Sequence, residues 1–177
     1  MKKFKRSIVA IVLIVGMLLS MNQTTVYAKT NAYEKPIVIV LDLVSKYIIE
    51  SQTALQNVEI IPGFFSLTFA KNTGMAWSML SGKQAFLSIV SAAAIGVMIY
   101  CVLKKDCSKL MKIALALMIG GAAGNLFDRL FLGYVRDFLD FIIFGYDFPI
   151  FNIADSALTI GVILLFIVSM KEEKKNV

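Results

Sequence analysis

Three stretches of the chain are almost purely apolar over a length close to the roughly 20 residues a helix takes to cross a bilayer. They are Ala85–Leu103, broken only by Ser88 and Ser91, Leu110–Phe127, with Lys112 near one end, and Ala154–Met170. Each predicts a membrane-spanning helix. Further upstream, Pro36–Ile49 is apolar apart from Asp42, Ser45 and Lys46; Pro36 suits a first helical turn, and Asp42 and Lys46 are spaced i,i+4 on one face. At about 1.5 Å per residue this helix spans only about 21 Å, short for a full crossing. Residues 58–69 are β-branched and aromatic around a Pro62-Gly63 break, and Lys71–Gly74 follows as a turn. That pattern predicts short strands or a hairpin. The region 138–151 holds Phe138, Phe141, Phe144, Tyr146, Phe148 and Phe151, the enrichment expected of an interfacial aromatic belt.

The N-terminus has a different organisation. Lys2, Lys3, Lys5 and Arg6 precede the apolar run Ser7–Met21 and the polar stretch Asn22–Ala28, with Val26 and Ala28 placed as at a cleavage site. Residues 1–30 therefore read as a signal peptide or as an extra N-terminal membrane anchor. Residues 31–177 form a single membrane-embedded domain on this reading. The expected fold is mostly α and polytopic, a four-helix transmembrane bundle with a small extracytoplasmic β element.

Composition supports the membrane reading. Of 177 residues 58% are apolar and 17% charged, against about a quarter charged in a typical soluble domain. Basic residues cluster in 2–6, 104–112 and 171–175, which hold 11 of the 18 Lys and Arg against three acidic residues. Such clusters mark cytoplasmic segments, so the tail is expected inside and 51–84 and 128–153 together on the outer face. The net charge of +6 is then a topology signal, and no nucleic-acid partner is expected.

The chain has no histidine and only two cysteines, Cys101 and Cys107. That excludes Ser-His-Asp and Cys-His catalysis, His-containing zinc sites and a disulfide framework. No metal or other cofactor is expected. Polar residues instead gather where spans three and four end. Asn125, Asp128 and Arg129 fall on one helix face at i, i+3 and i+4, and Asp155 opens the last span behind Asn152. Ionisable groups at membrane depth cost a few kcal/mol each. One reading is an Asp128–Arg129 or Asp137–Arg129 ion pair that staples two helices, with Asn152 as a helix cap. The other is a functional centre, since Asp128, Asp137, Asp140, Asp147 and Asp155 converge with only Arg129 and Arg136 to neutralise them. Gly120 and Gly124 are spaced for close helix packing.

Five blocks, in order, resemble those of lipoprotein signal peptidases (signal peptidase II). They are Leu41–Lys46, Asn72–Ser78, Gly120–Arg129, Gly133–Phe138 and Phe151–Ser156. The resemblance implies a membrane aspartic endopeptidase with four core spans in a bacterial cell membrane, inner or cytoplasmic. Its substrates would be prolipoproteins, cut just before a diacylglyceryl-modified cysteine, with membrane lipids as further partners. By the same resemblance the catalytic pair falls on Asp137 and Asp155. Asn72, Gly74, Asn125, Arg129 and Asn152 match positions that hold substrate backbone or organise the pair, Asp128 a supporting carboxylate, and Asp42 and Lys46 positions associated with fold stability.

Without histidine or metal, peptide hydrolysis requires a water activated by carboxylates. Two neighbouring aspartates share one proton: the ionised member takes a proton from water while the other donates to the scissile carbonyl. The sequence departs from the family at Met75 and Trp77, bulkier than usual, and at Arg136, which stands where an apolar residue is usual and is expected to lower the pKa of Asp137. These departures motivate an alternative, a catalytically silent paralogue that binds lipopeptide or a peptide inhibitor. A small ion transporter is a further alternative, but no inverted repeat is visible.

Overall fold

The computed structural model describes residues 34–74, 80–104 and 107–173. The signal-peptide-like segment 1–30, and Met75 and Trp77, lie outside these. The elements run α1 (Glu34–Ser51), a short 3-10 turn (Thr53–Leu55), β1 (Val58–Ile61), β2 (Phe65–Asn72), α2 (Gln84–Lys104), α3 (Lys109–Leu132), β3 (Val135–Ile143), β4 (Tyr146–Phe151) and α4 (Ile153–Glu173).

The helices are built inside out. On α1 the buried positions Val38, Ile39, Asp42, Leu43, Lys46 and Ile49 recur at three- and four-residue intervals, while Ile37, Leu41 and Val44 on the opposite side are about half exposed. Asp42 and Lys46 are completely inaccessible. Helix α1 thus turns its charges inward and its aliphatic side chains outward. Among the described residues, α2, α3 and α4 are each long and apolar enough to cross a membrane. At 18 residues and about 27 Å, α1 is longer than the sequence pattern suggested.

Helix α3 is the centre of the bundle and packs against α1, α2 and α4. Ser108 caps its start by accepting from the Met111 N–H at 3.3 Å. Gly133, with φ of 80°, ends it in a left-handed conformation and donates its N–H to the Arg129 carbonyl. Close approach is made by glycine: a Cβ at Gly121 would strike the Ala154 carbonyl of α4, and one at Gly124 the Asp42 carboxylate of α1. Of the predicted Gly120 and Gly124 spacing, Gly124 makes the approach to α1, while the approach to α4 is made by Gly121.

The strands form one antiparallel sheet in the order β1-β2-β3-β4. It is larger than the predicted hairpin at 58–69, which became β1 and β2. Residues expected as an aromatic belt are strands β3 and β4. The first four residues of β3 are buried on both faces, so the period-two alternation that marks a half-buried strand is absent. Phe141 stacks on Phe65 at 4.5 Å and on Phe151 at 5.7 Å, tying three strands together, whereas Phe144 at the hairpin tip is fully exposed. The opening of β3 docks on α1 and α3, which brings the sheet to the end of the bundle where α4 begins.

Candidate active site

Four elements meet at that end. Strand β2 contributes Asn72 as its last residue; β3 contributes Arg136 and Asp137, paired in register with Lys71 and Ala70 of β2. Helix α3 supplies Asn125, Asp128 and Arg129, and α4 supplies Asp155 in its first turn, behind Asn152. Asn152 and Asp155 cap α4 reciprocally: the Asp155 N–H donates to Asn152 Oδ1 at 2.9 Å, and the Asn152 N–H to Asp155 Oδ2 at 3.3 Å. The predicted cap at Asn152 is present, and it also orients Asp155.

The carboxylates are held by amides. Asp137 accepts from Asn72 Nδ2 at 2.9 Å on one oxygen and from Asn152 Nδ2 at 2.6 Å on the other. Asp155 accepts from Asn125 Nδ2 at 2.7 Å. Asn72 is itself fixed, because its Oδ1 accepts the Gly74 N–H at 2.8 Å; Gly74 returns its carbonyl to Arg129 Nη2 at 3.2 Å. Asn152 spans the pair, binding Asp137 through its side chain and Asp155 through its backbone. Asp137 is 2% exposed, and burial, followed by the nearby Asp155 charge, pushes its carboxyl up to about 7 against the hydrogen bonds from Asn72 and Asn152.

The ion pairing differs from both pairings the sequence suggested. Among the described residues Asp128 pairs with neither Arg129 nor any helix neighbour; it takes Arg136 at 2.7 Å and Lys46 at 3.4 Å, and accepts the Arg136 backbone N–H at 3.0 Å. Arg136 also reaches Glu50 at the end of α1, at 3.0 Å, and Tyr134 donates to the same carboxylate at 3.2 Å. Its side chain is therefore turned away from Asp137, and the expected lowering of that pKa by Arg136 is replaced by a rise. These contacts of Glu50 escaped the sequence reading because nothing local links it to Arg136, 86 positions away, or to Tyr134, 84 positions away. Arg129 has no ion pair among the described residues, and its buried Nε has no hydrogen-bond partner among them. Of the five acids expected to converge, Asp140 is instead bonded to Thr68 on the sheet at 2.6 Å, and Asp147 is exposed on β4.

Asp42 accepts the Ala154 N–H at 2.9 Å at the positive end of α4 and pairs with Lys46 at 2.7 Å. The centre opens into a cavity of about 530 Å³ whose lining includes the polar residues Asn72, Asn125, Arg129 and Asp155 and the apolar residues Phe148, Ile150, Phe151, Leu158 and Ile160. Among the described residues no three carboxylate or thiol side chains converge to hold a metal ion.

Charged and amide groups inside, aliphatic groups outside and a polar centre facing an apolar-walled cavity define a membrane-embedded protein with a chemical site at one end of its bundle. The chain belongs to the signal peptidase II family, whose model matches residues 36–171. It is accordingly a peptidase, a hydrolase. The lipoprotein signal peptidases of Staphylococcus aureus strains JH9 and Newman are each 45% identical to it over 137 residues, 76% of this chain and 84% of theirs. Among solved structures, a bacterial membrane enzyme determined by the in meso method at 2.3 Å matches with a TM-score of 0.74 and 42% identity, over 81% of this chain and 88% of that one. A second, at 1.9 Å, gives 0.70 and 44% over 78% and 91%.

Proposed function

We propose that this chain removes signal peptides from prolipoproteins as an aspartic endopeptidase, cutting before the diacylglyceryl-modified cysteine with Asp137 and Asp155 as its catalytic pair. Removal of prolipoprotein signal peptides follows from membership of the family. The aspartic mechanism is supported chiefly by one observation: two aspartates from β3 and α4 are brought together through Asn152 and each is hydrogen-bonded by amides, Asp155 lining the cavity and Asp137 bonded to Asn72, which also lines it.

The chemistry proceeds from the shared proton. The ionised carboxylate takes a proton from a water as its oxygen attacks the scissile carbonyl, while the protonated partner donates to the carbonyl oxygen. The gem-diol that results collapses as a proton passes to the leaving nitrogen and the C–N bond breaks. Because the pair titrates as a unit, neither role is tied to one residue. Arg129, with its Nε unpartnered among the described residues, is placed to offset negative charge on the intermediate. Asn72, Gly74, Asn125 and Asn152 position the pair and the peptide backbone, and Asp128 supports β3. The apolar wall at Phe148, Phe151, Leu158 and Ile160 suits a lipid-bearing substrate, each buried methylene contributing about 0.8 kcal/mol.

On this reading residues 31–177 are the peptidase domain, α1 completes a four-helix bundle, and the protein is a multi-pass component of the bacterial cell membrane. The site faces outside and the C-terminus is cytoplasmic, as the basic segments 104–112 and 171–175 indicate. A gel-shift assay on a diacylglyceryl-modified prolipoprotein tests the proposal. The parent protein processes it, and Asp137→Asn and Asp155→Asn each reduce the rate by at least about 10²-fold. Undiminished cleavage by both variants rejects the pair, and an inactive parent indicates a binding protein.

A further inference from the structure

Lys46 sits where an ion pair alone does not account for it. Its ammonium bonds Asp42 at 2.7 Å within α1 and lies 3.4 Å from Asp128 of α3, but it also donates to Asn125 Oδ1 at 2.9 Å. Asn125 Nδ2 in turn donates to Asp155 Oδ1 at 2.7 Å. An ammonium group has three donors and no acceptor, so the amide can turn only its oxygen toward Lys46. Its N–H is thereby aimed at Asp155. Asn152 Nδ2 also reaches Asn125 Oδ1, at 3.1 Å, but its bonds to Asp137 at 2.6 Å and to the Arg136 carbonyl at 3.4 Å compete for its two hydrogens.

We infer that Lys46 is a positioning residue for the catalytic pair, holding the Asn125 amide in one orientation so that Asp155 receives a donor at every stage of the reaction. The inference rests on the aspartic reading above and goes beyond the structural role that the resemblance gives Lys46. The orientation matters because the pair gains and loses protons during each turnover. An ionised Asp155 would select the N–H of a freely rotating amide by itself. A protonated Asp155 would accept either end, and an amide turned to present its oxygen would trap the proton and misplace the carboxyl. A fixed cation on the far side of Asn125 removes that second state. The charged groups around it are Asp42 on α1, Asp128 and Arg129 on α3, Arg136 and Asp137 on β3, and Asp155 on α4. Of these, Asp137 feels the Lys46 charge as a lowering influence on its carboxyl.

Removing Lys46 alone would strand the Asp42 carboxylate, so the test uses neutral pairs. In Asp42→Asn/Lys46→Met both charges go, while residue 42 keeps an oxygen for the Ala154 N–H. The folded protein in detergent is expected to unfold at a temperature close to that of the parent, because the Asp42–Lys46 pair contributes little net stability and Asp128, which also loses Lys46, keeps Arg136 at 2.7 Å. Per folded molecule, kcat on a lipidated prolipoprotein falls by roughly tenfold to a hundredfold with KM held. The alkaline limb of the pH profile moves to higher pH. Asp42→Asn/Lys46→Gln returns an uncharged N–H to Asn125; it recovers most of kcat and leaves the pH shift in place. Parental kcat and pH profile in the Met pair overturn the inference, as does loss of the folded state in both pairs, since either result makes Lys46 a stability residue only. Asp137→Asn is measured alongside: if it still cleaves, the aspartic reading itself fails, whereas its inactivity beside a parental Met pair rejects the role of Lys46 alone.

Discussion

Asp137 is a carboxyl held between two requirements. Its hydrogen bonds from Asn72 and Asn152 favour the charged form, but burial and the neighbouring Asp155 oppose it more strongly and leave it titrating at about 7. An aspartate in an unfolded chain titrates near 3.9. Between those two values the folded protein holds a proton that the unfolded chain has released. The stability associated with Asp137 is therefore complete below about pH 4 and is lost as pH rises through about 7. The expected result is a midpoint of thermal unfolding that declines between about pH 4 and about pH 7 and levels off above, with a shallower decline in Asp137→Asn. Equal slopes in parent and variant would place the titration elsewhere. The same residue shows why the influence of Arg136 could not be read from its place in the sequence, although burial of the pair was expected to raise the upper pKa toward neutrality. Arg136 is its chain neighbour, but successive side chains on a strand point to opposite faces, so Arg136 serves Asp128 and Glu50 instead.

At the scale of elements, the polar strut Glu50–Arg136–Asp128–Lys46–Asp42 joins α1, β3 and α3, and its Asp42 end also receives the first turn of α4. Asp128 is its centre, fully buried between two cations. Asp128→Ala leaves both without their shared partner and is expected to cost roughly 3–5 kcal/mol. Arg136→Met is expected to cost less, because Lys46 still neutralises Asp128 and Glu50, whose side chain is 34% exposed, can be solvated. Thermal unfolding of the two variants in one detergent gives the order, and equal losses would contradict it. The spans were legible in the sequence to within a few residues, since twenty apolar positions admit few structures other than a transmembrane helix. Strands β3 and β4 were not, because aromatic residues on both faces hide the alternation. The strut was not legible either, as it depends on which faces α1 and β3 present after packing. Asn125, Asp128, Asn152 and Asp155 stood out because polar groups at span ends cost free energy, whereas Asn72 and Asp137, which lie on strands, were reached only through the resemblance.

At the scale of the molecule, the chain places its amides and carboxylates at one end of a bundle whose outer surface is aliphatic, so access to the site is governed by the membrane plane. If that end faces outside, Cys107 in the α2–α3 connection, two residues before α3, is labelled only by membrane-permeant thiol reagents, while a cysteine introduced at Thr53 is labelled by impermeant ones. The reverse pattern in intact cells would invert the orientation. A lipid-modified peptide can then keep its acyl chains in the bilayer and offer its cleavage point to the cavity beside α4. All of this depends on Asp137 and Asp155 holding one proton between them at neutral pH. Infrared difference spectroscopy of the purified protein during a pH titration observes that proton in the carboxyl C=O region. The account predicts a protonated carboxyl that disappears around pH 7 in the parent, is lost in Asp137→Asn, and titrates at lower pH in Asp155→Asn once the neighbouring charge is gone. A parent with no carboxyl titrating near neutrality, or one whose titration both substitutions leave unchanged, would contradict it.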